Sequence, residues 1–312
     1  MAAGDFDTLT AMLSFYNSYV PFAQARTQAW YNHSGLFFPE TMTVFGGYTE
    51  GWFGFGCDDH SAHPNRVSNT YMRYHREGGL ELAAFVLDHF AMTGDGKTLS
   101  SLLPLLDGLV TFYAEHYPQR DSTGRLVLAP GQALETWQCE DDVSSCVTNN
   151  LPEVAGLHAV LPRLLALPHS VTTTDQRRRW VALRDILPDV PMGPCLTKTE
   201  STCLLAGAVL PKIPSNSENA ELYAAHPFRL YGQFLEGVEL ARETFARRLF
   251  PCNEGWCQDV MQAALLGAYA CCLHVCAFVW CVFVGAGGDS VYMPSFACLF
   301  VCGVFSLPAC GE

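Results

Sequence analysis

The sequence predicts an all-α fold of antiparallel helix pairs with a few short β segments. Apolar residues recur at helical spacing in several long segments. One short turn, TGDG at 93–96, joins two such segments and therefore makes them antiparallel neighbours. Long irregular stretches separate the other helices. Loops of that kind carry functional residues at one end of helical barrels.

The predicted helices follow one another along the chain. Residues 5–31 form the first, with a break expected before Pro21. Residues 76–92 form the second, which is apolar almost all round and is therefore expected to be buried on more than one side. Further helices are predicted at 99–117, 152–167, 174–187 with a threonine cap, 236–250 and from 257 onward. Extended backbone is predicted at 125–128 and in parts of 204–231.

Composition and motifs exclude several classes of protein. The 312 residues are 49% hydrophobic, which is ample for a buried core. The formal net charge of −13 argues against a nucleic-acid partner, whose phosphates need a basic face. The sequence contains neither a nucleophile elbow, an HExxH motif nor a glycine-rich dinucleotide motif. We therefore predict no cofactor.

The composition changes after residue 267. Seven of the 14 cysteines lie in residues 271–310, and no lysine or arginine follows Arg248. Residues 264–286 are long and apolar enough to span a membrane, but the cations that would orient such a span are absent. We interpret 268–312 as a cysteine-rich tail of separate origin, favoured over a membrane anchor or an ordinary buried helix.

Two further features of the sequence bear on where in the cell the protein is located: the other seven cysteines and the first residues of the chain. These cysteines have no zinc-ligand spacing, so we interpret them as buried free thiols. The first ten residues lack the basic and apolar regions of a signal peptide. The sequence thus leaves the localisation open.

Residues 31–56 form an irregular loop rich in aromatic residues and glycine. Rings beside hydrogen-bonding groups suit a sugar, although such a loop could equally plug the end of a helical core with its phenylalanines. Asn32, His33 and Ser34 form a glycosylation acceptor in sequence, but we interpret Asn32 and His33 as a hydrogen-bonding pair. The nearby CDDHSAHP at 57–64 matches no strong zinc pattern, so no metal site is predicted.

Glu135 is the main candidate for catalysis. Glycoside cleavage needs one carboxylic acid that protonates the leaving oxygen and a second carboxylate that activates water. Glu135 lies in ALETW between Leu134 and Trp137, an apolar setting that would raise the pKa of its carboxyl group. The alternative is a surface carboxylate near a turn. The acids at 140–142 are expected to be solvated.

Six stretches in order resemble glycoside hydrolase family 95, which includes inverting α-L-fucosidases. The similarity covers about residues 6–267. The family has a six-hairpin (α/α)6 barrel, which this chain would form incompletely, because we count seven or eight helices against twelve. The stretches are ARTQAWYNHSGLFFPETM, RYHREGGLELAAFVLDHFAMTGD, ALETWQ, LPEVAGLHAVLPRLLALP, ENAELYAAHPFRLYG and GWCQDVMQAALLG.

The resemblance implies a carbohydrate substrate and a role for each matching residue. Glu135 would be the general acid, and Asn32 would lie in the loop that positions water. The family's second carboxylate lies on a later loop, beyond the point where this chain leaves the pattern, so 1–267 is expected to be a partial domain with little or no activity. Alternatives are a non-catalytic carbohydrate-binding protein and a membrane-anchored one. The implied substrate contacts are His33 and Glu40, and the implied stacking platforms are Trp52 and Trp137.

Overall fold

The computed structural model describes residues 4–47, 67, 69–139, 143–211, 213–251 and 258–268. Within these ranges the fold is mostly α-helical, which confirms the predicted class, and it contains eight α-helices. No helix in these ranges has the length and apolar character that a membrane crossing requires. The tail at 269–312, with most of the candidate span at 264–286, lies outside the described residues. The helices are α1 (Phe6–Ser18), α2 (Val20–Tyr31), α3 (Gly78–Thr93), α4 (Gly96–His116), α5 (Leu151–Leu165), α6 (Thr174–Asp185), α7 (Val238–Arg247) and α8 (Asp259–Leu266).

Local sequence signals determine where several helices begin. The predicted break before Pro21 occurs at Tyr19, because proline has no N–H to donate and fits the first turn of a new helix. Asp95 caps α4 by accepting hydrogen bonds from two backbone N–H groups of the first turn. Thr173 and Gln176 form a capping box at the start of α6, which confirms the predicted threonine cap. The helix boundaries are therefore properties of the local sequence.

The second predicted helix, α3, lies at the centre of the core. It packs against both α4 and α5, and α5 packs in turn against α6. Leu80 and Ala83 of α3 are completely buried. Gly156 allows the close approach of α5, since a Cβ there would lie 2.7 Å from a methyl carbon of Leu80. Because α3 is enclosed in this way, the residues at its N-terminal end are held in fixed positions.

Two small antiparallel pairs of strands connect the long loops. β1 (Thr148–Asn150) pairs with β4 (Gly207–Val209), and β2 (Met192–Pro194) pairs with β3 (Thr202–Leu204). The extended backbone predicted at 125–128 is reduced to one isolated bridge between Arg120 and Leu126. Pairing of β1 with β4 brings the segment before α5 against the loops that follow α6.

Two disulfide bonds overturn the interpretation of free thiols for four cysteines. Cys139 is bonded to Cys146, and Cys195 is bonded to Cys203 across the β2–β3 hairpin. Each pair is close in sequence, and the chain reverses direction between its members, which the spacing alone does not reveal. Bonds of this kind are typical of proteins that fold in an oxidising compartment.

Candidate functional site

The loop after α2 divides into a buried part and an exposed end. Asn32 closes α2 in the left-handed conformation, with φ of 56°. The Phe37 and Phe38 side chains are 3% and 4% exposed and fill the core beside α4, as the plug interpretation predicted. The chain then emerges at Glu40, which is exposed as a residue. Residues 48–66, including Trp52 and the CDDHSAHP segment, lie outside the described part of the chain.

Three glutamates from distant parts of the sequence meet at one place, which we call the carboxyl cluster: Glu40, Glu135 and Glu218. The Glu40 and Glu135 carboxyl groups are in hydrogen-bonding contact. The Glu135 backbone N–H donates to Oε2 of Glu218 over 3.0 Å. Nδ2 of Asn216 donates to Oε2 of Glu135 over 2.7 Å. The structure thus brings together two of the predicted site residues and adds a third carboxyl group.

A tight turn at 133–137 holds Glu135 in this position. Ala133 and Trp137 exchange two backbone hydrogen bonds of 3.1 Å across the turn. The Thr136 hydroxyl accepts from the Glu218 N–H at 2.8 Å and donates to the Glu218 carbonyl at 3.1 Å. These hydrogen bonds hold the segment around Glu135 against the segment around Glu218.

Burial changes the acidity of the cluster. Desolvation is the largest cause that raises the pKa of Glu40 to about 7, and the charge of Glu135 raises it further, while His75 opposes the shift. Although Glu40 is exposed as a residue, its carboxyl end lies against the other acids and is the part that loses water. Burial also raises the pKa of Glu218. Glu40 therefore retains its proton close to neutral pH.

His75 borders the cluster. Its side chain is 11% exposed, and its Nε2 lies 3.0 Å from Oε1 of the completely buried Glu77. Burial raises the pKa of Glu77 to about 8. The shift reflects the enclosure of this carboxyl group by the core. His75 therefore contacts Glu77 and acts electrostatically on Glu40.

A buried ionic network lies behind Glu77. The Arg76 side chain is 4% exposed and that of Glu153 is fully buried. The Tyr117 hydroxyl donates to Oε2 of Glu153 over 3.2 Å. Burial raises the pKa of Glu153 to about 8, and the Arg76 cation opposes that shift. Since Glu153 is enclosed, it supports the packing of α3, α4 and α5 and does not meet solvent.

The other predicted site residues are placed differently. Oδ1 of Asn32 accepts from Gln28 Nε2 over 3.0 Å, and Nε2 of His33 lies 2.9 Å from Nδ1 of His116. These contacts put Asn32 and His33 where α2 and α4 end. Trp137 is 5% exposed, so its ring offers little surface on which a sugar could stack.

Sequence reasoning did not single out Glu218, Asn216 or His75. Glu218 begins the stretch ENAELYAAH and His75 lies in RYHREGG, so both were within stretches that carried the resemblance. Their type and position were visible, but 83 residues separate Glu135 from Glu218, and no periodicity connects them. In the described ranges, no group of three or more histidine, cysteine, aspartate or glutamate side chains is arranged to hold a metal ion.

Comparison with known proteins adds no family to this geometry. No protein-family model and no curated protein match the chain. The arrangement of its own side chains is therefore the basis for a functional conclusion.

Proposed function

We propose that the domain is a glycoside hydrolase-like (α/α) domain that cleaves glycosides by general acid and base catalysis in the carboxyl cluster. The observation that carries this proposal is the contact between the carboxyl groups of Glu40 and Glu135, in which the pKa of Glu40 is raised to about 7. Glycoside cleavage requires a carboxylic acid of raised pKa and a second carboxylate across the scissile bond, with room for water between the two in an inverting enzyme. The resemblance to family 95 supports the same chemistry.

In the proposed reaction Glu40, beside Glu135, acts as the acid, and a third carboxylate acts as the base. The proton of Glu40 passes to the glycosidic oxygen while the bond from that oxygen to the anomeric carbon breaks. Water adds to the anomeric carbon, and Glu218 accepts the proton that the water loses. Glu135 touches the donor and, through its backbone, the acceptor, so it is the residue on which both halves depend.

The presence of Glu218 bears on whether this chain is catalytically active. The resemblance implied that the second carboxylate would be missing, because the family's base lies on a later loop. Glu218 supplies a candidate base within the described residues. We therefore favour an active domain over an inactive one, and we propose an incomplete six-hairpin ring as its architecture.

The composition of the site favours one class of sugar. The side chains that we assign to it are three carboxyl groups, an imidazole and the Asn216 amide. Carboxylates accept hydrogen bonds from sugar hydroxyls and repel other anions. Neutral sugars such as fucose and galactose are therefore the expected substrates, and uronic acids are disfavoured.

The first prediction is a pH profile. Aryl α-L-fucosides and galactosides should be hydrolysed, with kcat/KM falling as the pH rises through about 7, the pKa of Glu40. The rate falls with rising pH because the reaction needs a proton. Glu40 can protonate the leaving group below that pKa and has lost its proton above it. A stopped assay of released phenol from pH 4 to 9 measures the profile.

Two outcomes contradict this prediction. Activity that stays constant between pH 6 and 8.5 would mean that the Glu40 carboxyl group is not the proton donor. Saturable binding of the sugars without turnover, measured by calorimetry on the same preparation, would instead favour the non-catalytic carbohydrate-binding alternative.

A further inference from the structure

A concavity lies beside α3, between α5 and the segment 227–230. It has a volume of about 400 Å³, within the range typical of sites for small molecules. Asp88 of α3, Arg163 of α5 and Arg229 contribute its charged groups, while Phe228 forms part of its apolar wall. We call it the Asp88 pocket.

The charges of the pocket do not cancel. Asp88 is 8% exposed. Its Oδ1 accepts from Arg163 over 2.7 Å and its Oδ2 accepts from Arg229 over 2.7 Å. Two cations therefore share one carboxylate, which leaves one net positive charge in a chain whose formal net charge is −13. Each guanidinium has five N–H donors, of which Asp88 occupies a fraction.

The arginines are held in place without being covered. The side chains of Arg163 and Arg229 are 35% and 52% exposed, so their remaining donors are open to solvent at the pocket. A purely structural link between α3 and α5 would need the first of these arginines alone. The second comes from a residue with φ of 55°, an unusual backbone conformation for arginine.

Two histidines nearby are consistent with a positive pocket. Nε2 of His158, a lining residue, lies 2.9 Å from the Pro188 carbonyl oxygen, which fixes the orientation of the ring. Burial lowers the pKa of His226, and the positive charge of Arg229 lowers it further. The positive charge of Arg229 thus acts on the neighbouring His226.

We propose that the Asp88 pocket binds a small molecule through an oxyanion, a carboxylate or a sulfate group, held by the guanidinium groups of Arg163 and Arg229. Planar guanidinium groups match the geometry of such anions and bind them with charge-assisted hydrogen bonds. Phe228 would contact the apolar body of the ligand. Asp88 positions both cations before the ligand arrives.

The pocket is separate from the carboxyl cluster. Glu77, which contacts His75 at the edge of the cluster, precedes Asp88 by eleven residues, and at about 1.5 Å per residue this is roughly 16.5 Å along α3. The net charges of the two places are also opposite. The Asp88 pocket therefore does not depend on the proposed glycosidase activity, and its ligand can be tested in the absence of any glycoside.

Calorimetric titration with sodium sulfate and, separately, sodium glucuronate tests the proposal at constant ionic strength in the full chain. We expect saturable binding of at least one probe, weakened about tenfold or more in Arg229→Gln, which loses charge-assisted hydrogen bonds. Arg179→Gln is the matched control, because Arg179 is 49% exposed and pairs with Asp107 at 2.6 Å on another face. The control should bind as the wild type does.

The two probes and a second variant determine the outcome. Stronger binding of glucuronate than of sulfate identifies an organic carboxylate, and the reverse identifies a sulfate group. Arg229→Lys keeps the charge and should lose part of the affinity even if Arg229→Gln does not fold. Absence of saturable binding to both probes, or equal weakening in Arg179→Gln and Arg229→Gln, would overturn the proposal.

Discussion

Glu135→Gln is expected to lower kcat/KM for glycoside hydrolysis by about 10²–10⁴-fold, the usual contribution of a positioned acid or base. Glutamine fills nearly the same volume and can still contact Asn216, so the turn at 133–137 should stay folded. What the variant loses is the carboxyl group whose charge and hydrogen bond raise the pKa of Glu40. Initial rates with aryl fucosides and galactosides at pH 5 to 6 measure the effect.

Glu239→Gln is the control for this experiment. Its side chain is 81% exposed on α7, where it pairs with Arg242, and surface pairs of this kind contribute little to stability. The control should retain wild-type activity. Undiminished turnover in Glu135→Gln would show that the carboxyl cluster is not the catalytic site and would direct the search to Asp141 and Asp142.

Gly35→Ala is expected to destabilise the fold by roughly 3–5 kcal/mol, the range of severe steric substitutions. Gly35 has φ of +89°, and a Cβ there would lie 2.3 Å from the backbone nitrogen of Phe112. That atom belongs to α4 and cannot move aside as a side chain would. The loop would have to leave α4, and Glu40 would move away from Glu135 with it. Urea denaturation measures the loss.

Gly124→Ala separates the steric effect from the conformational one. Gly124 also has a positive φ, +85°, but a Cβ there meets nothing within 4 Å. The left-handed conformation alone should cost about 1–2 kcal/mol. If both alanine variants lose the same stability, the close approach of the loop to α4 is not what makes Gly35 necessary.

The helices could be predicted from the sequence because their causes are local. Apolar residues at helical spacing located α3 and α4, and the TGDG turn made them antiparallel neighbours. The break before Pro21 and the threonine cap at the start of α6 follow from a few adjacent residues. Such signals need no knowledge of the rest of the chain.

The candidate site could be predicted only in part, because contacts between distant segments create it. Glu40 and Glu135 were recognisable as residues of interest, but their contact depends on the approach of the loop to α4. Glu218 reaches the cluster through the hydrogen bonds of Thr136. The pairing of Cys139 with Cys146 depends likewise on a chain reversal that the spacing does not encode.

The ¹³C chemical shift of the Glu40 carboxyl group, followed by NMR from pH 3 to 10, tests the protonation of Glu40 without a substrate. We expect a midpoint of about 7, against an ordinary value of 4.5. Because the Glu135 charge raises the pKa of Glu40, Glu135→Gln should lower that midpoint, while Glu239→Gln should leave it unchanged. A wild-type midpoint near 4.5, or one that Glu135→Gln does not move, would contradict a protonated Glu40 held beside Glu135 at the carboxyl cluster.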